Sequence, residues 1–515
     1  MADASTWLVE IGAHTGSTLT TLRYSAGGYT TRPLDVPANT LYDDRVASIG
    51  RFSSHMFGRG RTMGPAEVDM GEIILTNADR QLDGILDYGV DGRAVTLRRL
   101  RGRRQALSSA ETILVASGEQ IDRGTLPEVR LRFYDRRRAI DRPIQTNRDG
   151  GTVVGTSASA DGADDLKGQY KPLVFGRVLN VSPVVANPFD LILQVNDGPV
   201  AAITLYDGGA PLIGAGDFTT LDALRSAALS PGQYATCLAL GLCRPGGAFN
   251  GRPGHVWTAD VTEGATAAQR AAAAVTLRML AKLGVAGGDI ASASFTALAG
   301  AAPQEVGIVI SGETSGLAAI RQVLGSVGAT IMPTQFGQFA VYRLAAPGAP
   351  SVALSVDDIL TDFEAITVQA NPDTDGNLPA RQVTLLWGRN WSPHSDTEIA
   401  LCAADRATFL KQEWREAVAT NAGIAAKHLL APTLTIETLL VNEADANAEA
   451  VRQLALYGQT RLLVGFGVDR ATADSLPLNT CVQMAPIGGG IGRPMIVLGR
   501  DENFDDETVD LMLWG

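Results

Sequence analysis

The side chains with the widest chemical range in this sequence are five histidines and four cysteines, and neither set is grouped. His14, His55, His255, His394 and His428 stand singly, with no nucleophile or paired carboxylate at a recognisable spacing. Isolated histidines of this kind decorate surfaces and loops, so none is nominated as a catalytic base. Cys237 and Cys243 are separated by five residues, and Cys402 and Cys481 lie far away. A four-thiolate site remains open in principle, but no C-x-x-C spacing supports zinc or an iron–sulfur cluster, and buried inert thiols are expected instead. No catalytic residue, metal or cofactor is assigned.

Two acidic runs carry oxygen ligands in quantity. Residues 371–377 (NPDTDGN) open like a calcium loop, with oxygen-bearing residues at alternate positions and glycine sixth. The twelfth position is Gln382, which cannot supply a bidentate carboxylate, and the flanks read as strands, so a polar turn is expected. Residues 501–507 (DENFDDE) are dense enough to bind a cation, but such a run leading into ETVDLMLWG reads as a solvated β-turn. GGGIG (488–492) lies between two strand-like runs and reads as a hairpin tip. The sequence contains no G-x-x-x-x-G-K-[ST] loop, no dinucleotide fingerprint after a strand, no G-x-S-x-G elbow and no H-E-x-x-H helix.

Positive charge is concentrated between residues 93 and 148, in Arg98, Arg99, Arg101, Arg103, Arg104, Arg136, Arg137 and Arg138. In EVRLRFYD the apolar Val129, Leu131 and Phe133 alternate with Arg130, Arg132 and Tyr134, which puts the arginines opposite the core. Part of this richness is then the wet face of a sheet; the functional alternative is contact with an acidic partner or a second subunit.

The elements that would position these groups are mostly strands. TWLVEIG, TLRYS, VDMGEIILTN, RAVTLRRL, ETILVASGEQI and EVRLRFYDRR form a β-rich first domain over 1–148, punctuated by Gly, Pro, Asn and Asp. Residues 148–168 read as a linker. A second β domain over 169–262 holds KPLVFGRVLNVSPVV, LILQVND and VAAITLYDGGAPL. Over 263–347, ATAAQRAAAAVTLRMLAKLG reads as a helix stopped by Gly284, and a stripe of Leu317, Ile320, Leu324 and Val327 marks another stopped by Gly328. A hairpin turning at Phe336–Gly337 follows, giving an α+β module. The region 348–515 returns to strands, with helices expected in ADRATFLKQEWREAVATNA and in EADANAEAVRQLALYG. Its last four runs are RLLVGFGV, TCVQMAP, RPMIVLGR and ETVDLMLWG, an apolar ending expected to be tied into a sheet. QVTLLWG (382–388) echoes TVDLMLWG (508–515), which suggests two related β modules.

Length predicts three or four domains, and 45% hydrophobic with 19% charged residues excludes a disordered chain. A net charge of −12 argues against a nucleic-acid coat protein. No apolar run approaches the ~20 residues that span a bilayer. The start, MADASTWLVEIG, has no secretory pattern, so synthesis in a cytoplasm without export is expected.

Three stretches together resemble the baseplate hub of phage tail tips and of gene-transfer-agent particles. They are residues 171–184 (KPLVFGRVLNVSPV) with TLYDGG (204–209), residues 313–347 (ETSGLAAIRQVLGSVGATIMPTQFGQFAVYRLAAP), and the unit from LYGQTRLLVGFGV to the final LWG. They span roughly the last two thirds of the sequence. The resemblance implies a mainly β, multi-domain chain with α+β insertions, built from two related β-barrel modules and a helix–hairpin domain. It further implies a non-enzymatic homotrimeric ring at the virion tail tip, with two modules per subunit matching a sixfold tube. Implied partners are a distal tail protein, a tape-measure protein and tip or fibre proteins, with DNA only in transit through the lumen. Net acidity would then keep passing DNA from sticking. Two other readings stay open: a receptor- or carbohydrate-binding tail component, for which Trp257, Trp391 and Trp414 would have to form an aromatic surface, and a tail-associated cell-wall hydrolase with positioned carboxylates.

Overall fold

Alternation of apolar and polar residues builds the first sheet of the computed structural model, which describes residues 5–102, 104–124, 127–155, 158–246, 256–488 and 491–515. Arg103, His255, the end of the Gly- and Pro-rich stretch 234–254 and the middle of GGGIG lie outside these residues. Nine strands run in the order Tyr29–Thr30, Leu41–Asp44, Leu19–Ser25, Thr6–His14, Ala94–Leu100, Glu111–Arg123, Glu128–Tyr134, Glu72–Thr76 and Val46–Ser48. In Glu128–Tyr134, Val129, Leu131 and Phe133 are buried as the period-two pattern requires. Arg130 and Arg132 on the other face pair with Glu72 and Asp122.

The run 67–76 forms two strands, Glu67–Met70 and Glu72–Thr76, broken at Gly71. A Cβ at Gly71 would stand 2.6 Å from the carbonyl oxygen of Arg51, so only glycine allows the chain to pass there. Beyond this break, the hairpin of Arg51–His55 and Glu67–Met70 leaves the first sheet and joins the last one.

That last sheet runs Val352–Ala353, Cys481–Gln483, Pro494–Asn503, Thr508–Trp514, Leu462–Asp469 and Thr367–Ala370. Pro494–Asn503 is long enough to serve two partners on one edge. Its start pairs with Cys481–Gln483, and its end pairs with Arg51–His55 in the register Gly499 to His55 through Asn503 to Arg51. Thr508–Trp514 is flanked on both sides, with Trp514 opposite Leu463 and Ile496. Trp514 is buried with Met56 and Phe57 from the N-terminal hairpin.

Between these terminal sheets lie two five-stranded sheets and an α+β layer. Leu173–Val181 sits between Trp257–Thr262 and Gly307–Ile310. Helix Gly316–Gly325 begins at Ser315, whose side chain accepts from the Ala318 N–H. Leu317, Ile320 and Leu324 are buried along its stripe, and Gly328 at φ +66° closes the turn that follows. Helix Ala272–Lys282 is likewise followed by Gly284 at φ +76°, and the hairpin Ala329–Pro333/Phe339–Arg343 turns through Gly337. An additional helix, Ser292–Ala301, arises in a run of small residues that carried no clear stripe. One core joins these helices to Val383, Leu385 and Trp387 and to Ala446 and Ala450 of helix Glu443–Tyr457.

One expectation from sequence is corrected. The stretch 404–422, expected to be helical, continues a 3-10 helix over Leu401–Arg406 into a short helix, Ala407–Lys411, and then becomes strand Arg415–Thr420. Ala417 and Ala419 are buried on alternate positions, and full pairing with Gln382–Trp387 outweighs the local helix formers. Gln382–Trp387 itself is the middle of a three-stranded sheet with Arg415–Thr420 and Thr433–Glu437. The echo with Thr508–Trp514 therefore joins strands in two sheets of different size and strand order. The chain is mainly β with α+β parts, and among the described residues no helix is long and apolar enough to cross a membrane.

Candidate functional site at the seam between the terminal sheets

The densest gathering of titratable groups is the run DENFDDE, laid across the junction where Arg51–His55 enters the last sheet. Asp501 accepts from His55 Nε2 at 2.8 Å and pairs with Arg59 Nη2 at 2.8 Å. Burial works to raise its carboxyl, but hydrogen bonds from His55 and Ser53 and the neighbouring Arg59 hold it below the usual aspartate range. Gly499 opposite makes room: a Cβ there would lie 2.0 Å from His55 Nδ1.

The next residue points the other way. Glu502 is 4% exposed and binds Arg470 at 2.9 Å and Arg500 at 3.1 Å. Arg500 Nη1 also donates to the carbonyls of Ala473 and Leu476, both at 2.7 Å. Phe504 enters the N-terminal core edge-on to Trp7, with ring centroids 5.5 Å apart, and Arg470 lies over its ring. Asp505 accepts from Ser48 Oγ and from the Ile49 N–H. Arg99, also buried, bridges Glu111 and Asp474 across the same junction at 2.9 and 2.8 Å.

DENFDDE is half seam and half solvated turn: residues 504–507 turn with Asp505, Asp506 and Glu507 exposed, while 501–503 are strand. Asp501 and Glu502 hold His55 and the arginines behind them, because a charge taken out of water is stable only with a partner. Phe504 packs into the N-terminal core, and Asp505 caps the chain at Ser48 and Ile49 from the surface. Sequence reading missed Arg470, Arg500 and His55 as its counterparts, and the only local signal was that Glu502 and Phe504 share one face of an apolar strand.

The other sequence candidates fall out differently. In NPDTDGN, Asp373 accepts from the N–H and Oγ of Thr62, and Thr374 Oγ1 donates to the carbonyls of Asn371 and Leu378. The run is a polar turn that latches the loop joining the two strands of the N-terminal hairpin. Cys237 and Cys243 are buried on neighbouring strands, Cys402 is exposed, and Cys481 lies in the last sheet. Burial pushes the Cys243 thiol up to about 12, which makes it a poor nucleophile. Among the described residues no three His, Cys, Asp or Glu side chains are grouped to hold a metal ion. His14 accepts from the Gly16 N–H, and buried His394 donates from Nδ1 to the Ser392 carbonyl.

The arginine clusters have intrachain anions. Arg98 pairs with Glu10, Arg136 with Asp289, Arg137 with Asp135 and Arg138 with Glu119. Of the tryptophans considered for a sugar surface, Trp391 and Trp414 are brought together around Arg389, their ring centroids 4.2 and 5.1 Å from its guanidinium carbon, while Trp257 packs with Trp391 against the core of the second β region.

No protein-family model and no curated protein sequence matches the chain. Solved structures do. A chain of the virion of a native gene transfer agent particle aligns at 14% identity and TM-score 0.43, covering 73% of this chain and 91% of that one. The chain is similar to virion and tail proteins. A tail protein from Neisseria meningitidis MC58 aligns at 11% identity and TM-score 0.39, over 99% and 97% of the two chains. The 43 kDa tail protein of prophage MuSo2 from Shewanella oneidensis aligns at 9% identity and TM-score 0.38, over 99% and 96%.

Proposed function

We propose that the chain is a structural subunit of a phage-like tail tip or baseplate, a hub that assembles as a homotrimeric ring between the tail tube and the tip. The observation that carries this reading is the inserted strand Arg51–His55, which fixes the N-terminal and C-terminal sheets in one relation. A ring subunit that transmits force along a tail needs such rigidity, and two β units held in register give each of three chains two surfaces toward a sixfold tube. The stretches that resemble hubs lie on Leu173–Val181, on the helix and hairpin from 316 to 343, and on the last sheet, the parts that frame this block.

In this reading the ring docks on a distal tail protein, encloses the end of a tape-measure protein, carries a tip or fibre, and passes DNA through its lumen without retaining it. Its place is the virion tail tip, after synthesis in the host cytoplasm, and its role is not enzymatic. Native mass measurement of the purified protein tests it: a stable species of three chain masses is expected. A protein that stays monomeric at high micromolar concentration, or that releases fragments from cell-wall material, would overturn it.

A further inference from the structure

A cavity of about 480 Å³ lies where the loop that joins the two strands of the N-terminal hairpin meets helix Gly316–Gly325, strand Thr433–Glu437 and the end of helix Glu443–Tyr457. Phe57, Met63, Pro65, Leu344, Ile436 and Leu456 supply its apolar wall. Most of its polar groups are already engaged. Glu449, 1% exposed, holds Arg343 at 2.9 Å and Arg452 at 2.6 Å and accepts from Gln453, while the Tyr457 hydroxyl donates to the Thr62 carbonyl.

Two groups are left over. Arg321, half-buried on the helix wall, makes no hydrogen bond and no ion pair among the described residues. Burial and the charge of Arg137 both work against its protonated form, with only Asp141 and Asp135 in opposition. Arg389 pairs with Glu413 at 3.0 Å and stacks on Trp391 and Trp414, yet its Nε has no acceptor. The lining carries one carboxylate, the exposed Glu437, against Arg321, Arg389 and Arg452. A half-buried guanidinium beside apolar surface is satisfied best by an anion that brings its own apolar body, and the volume falls in the range of small-molecule sites, about 300–1,000 Å³.

We propose that this cavity binds a small organic anion, its acidic group on Arg321 and its apolar body against Trp414 and the Phe57–Leu456 wall. The test uses the full chain and a matched pair of probes, the sulfonate 8-anilinonaphthalene-1-sulfonate and its neutral analogue N-phenyl-1-naphthylamine. One saturable sulfonate site per chain is expected. Arg321→Gln should weaken it about tenfold while leaving the neutral amine within about twofold, and Arg321→Lys should retain most of the affinity. A Cβ at Gly325 meets nothing within 4 Å, so Gly325→Phe extends into the cavity and should abolish binding of both probes without lowering the melting temperature. Absence of saturable sulfonate binding, equal affinity in Arg321→Gln, equal loss of the neutral amine in that variant, or undiminished binding in Gly325→Phe would each overturn the proposal.

Discussion

The arginines of the seam and Arg321 of the cavity behave in opposite ways. At the seam, Arg99, Arg470 and Arg500 are each below 10% exposed, and each meets a carboxylate within 3.1 Å. At the cavity, Arg321 is half-buried and meets none. The matched cations have used their charge inside the fold, Arg470 and Arg500 on Glu502 and Arg99 on Glu111 and Asp474 across the junction, and the unmatched one keeps its charge for something outside the chain. Residue type does not separate these roles; the presence of a partner within hydrogen-bonding distance does.

Cutting away the end of the central strand of the last sheet should have the largest effect. Removing residues 511–515 takes Trp514 from between Leu463 and Ile496, and soluble folded protein should be lost, as read by expression and circular dichroism. Glu502→Ala leaves Arg470 and Arg500 buried without their shared carboxylate, and urea unfolding should register a loss of about 3–5 kcal/mol. A loss below about 1 kcal/mol would mean that water reaches these arginines.

Asp501→Asn should cost less, about 2 kcal/mol at neutral pH, since it weakens charge-assisted hydrogen bonds that are partly exposed. Its pH dependence has a definite sign. A carboxyl lowered in the folded state contributes stability above the unfolded value and loses it as pH falls through the folded value, so the gap between wild type and variant should close below about pH 4. A gap that widened in acid would contradict the lowered carboxyl. Arg321→Gln should change unfolding free energy by less than about 0.5 kcal/mol, because it removes no hydrogen bond or ion pair. A loss as large as that of Glu502→Ala would erase the contrast between the two regions.

Much of the local structure was legible. Period-two runs such as Glu128–Tyr134 and the Leu317, Ile320, Leu324 stripe state their faces in their own residues. Strand Arg415–Thr420 was not legible, since REAVAT is made of adequate helix formers and becomes a strand only beside Gln382–Trp387. RFSSH offers little apolar content to announce a strand, and its partner lies more than 440 residues onward. For the same reason DENFDDE looked like any solvated charge run: nothing near it in sequence reveals that Arg470, His55 and the N-terminal core will close over it. The Arg321 cavity, assembled from seven separate stretches, has no sequence signature at all.

The late partner of Arg51–His55 also sets a timetable. At about 5–20 residues per second of synthesis, the hairpin emerges roughly 20–90 s before the strand Pro494–Asn503 that receives it. Throughout that interval the first sheet can close on itself, but the open edge of Arg51–His55 lacks its native partner, and Met56 and Phe57 lack the part of their cover that Ile496, Leu498 and Trp514 supply. The strand Pro494–Asn503 is therefore the one that ends this exposure to aggregation and to chaperones, and the N-terminal hairpin and the last sheet become a single folding event.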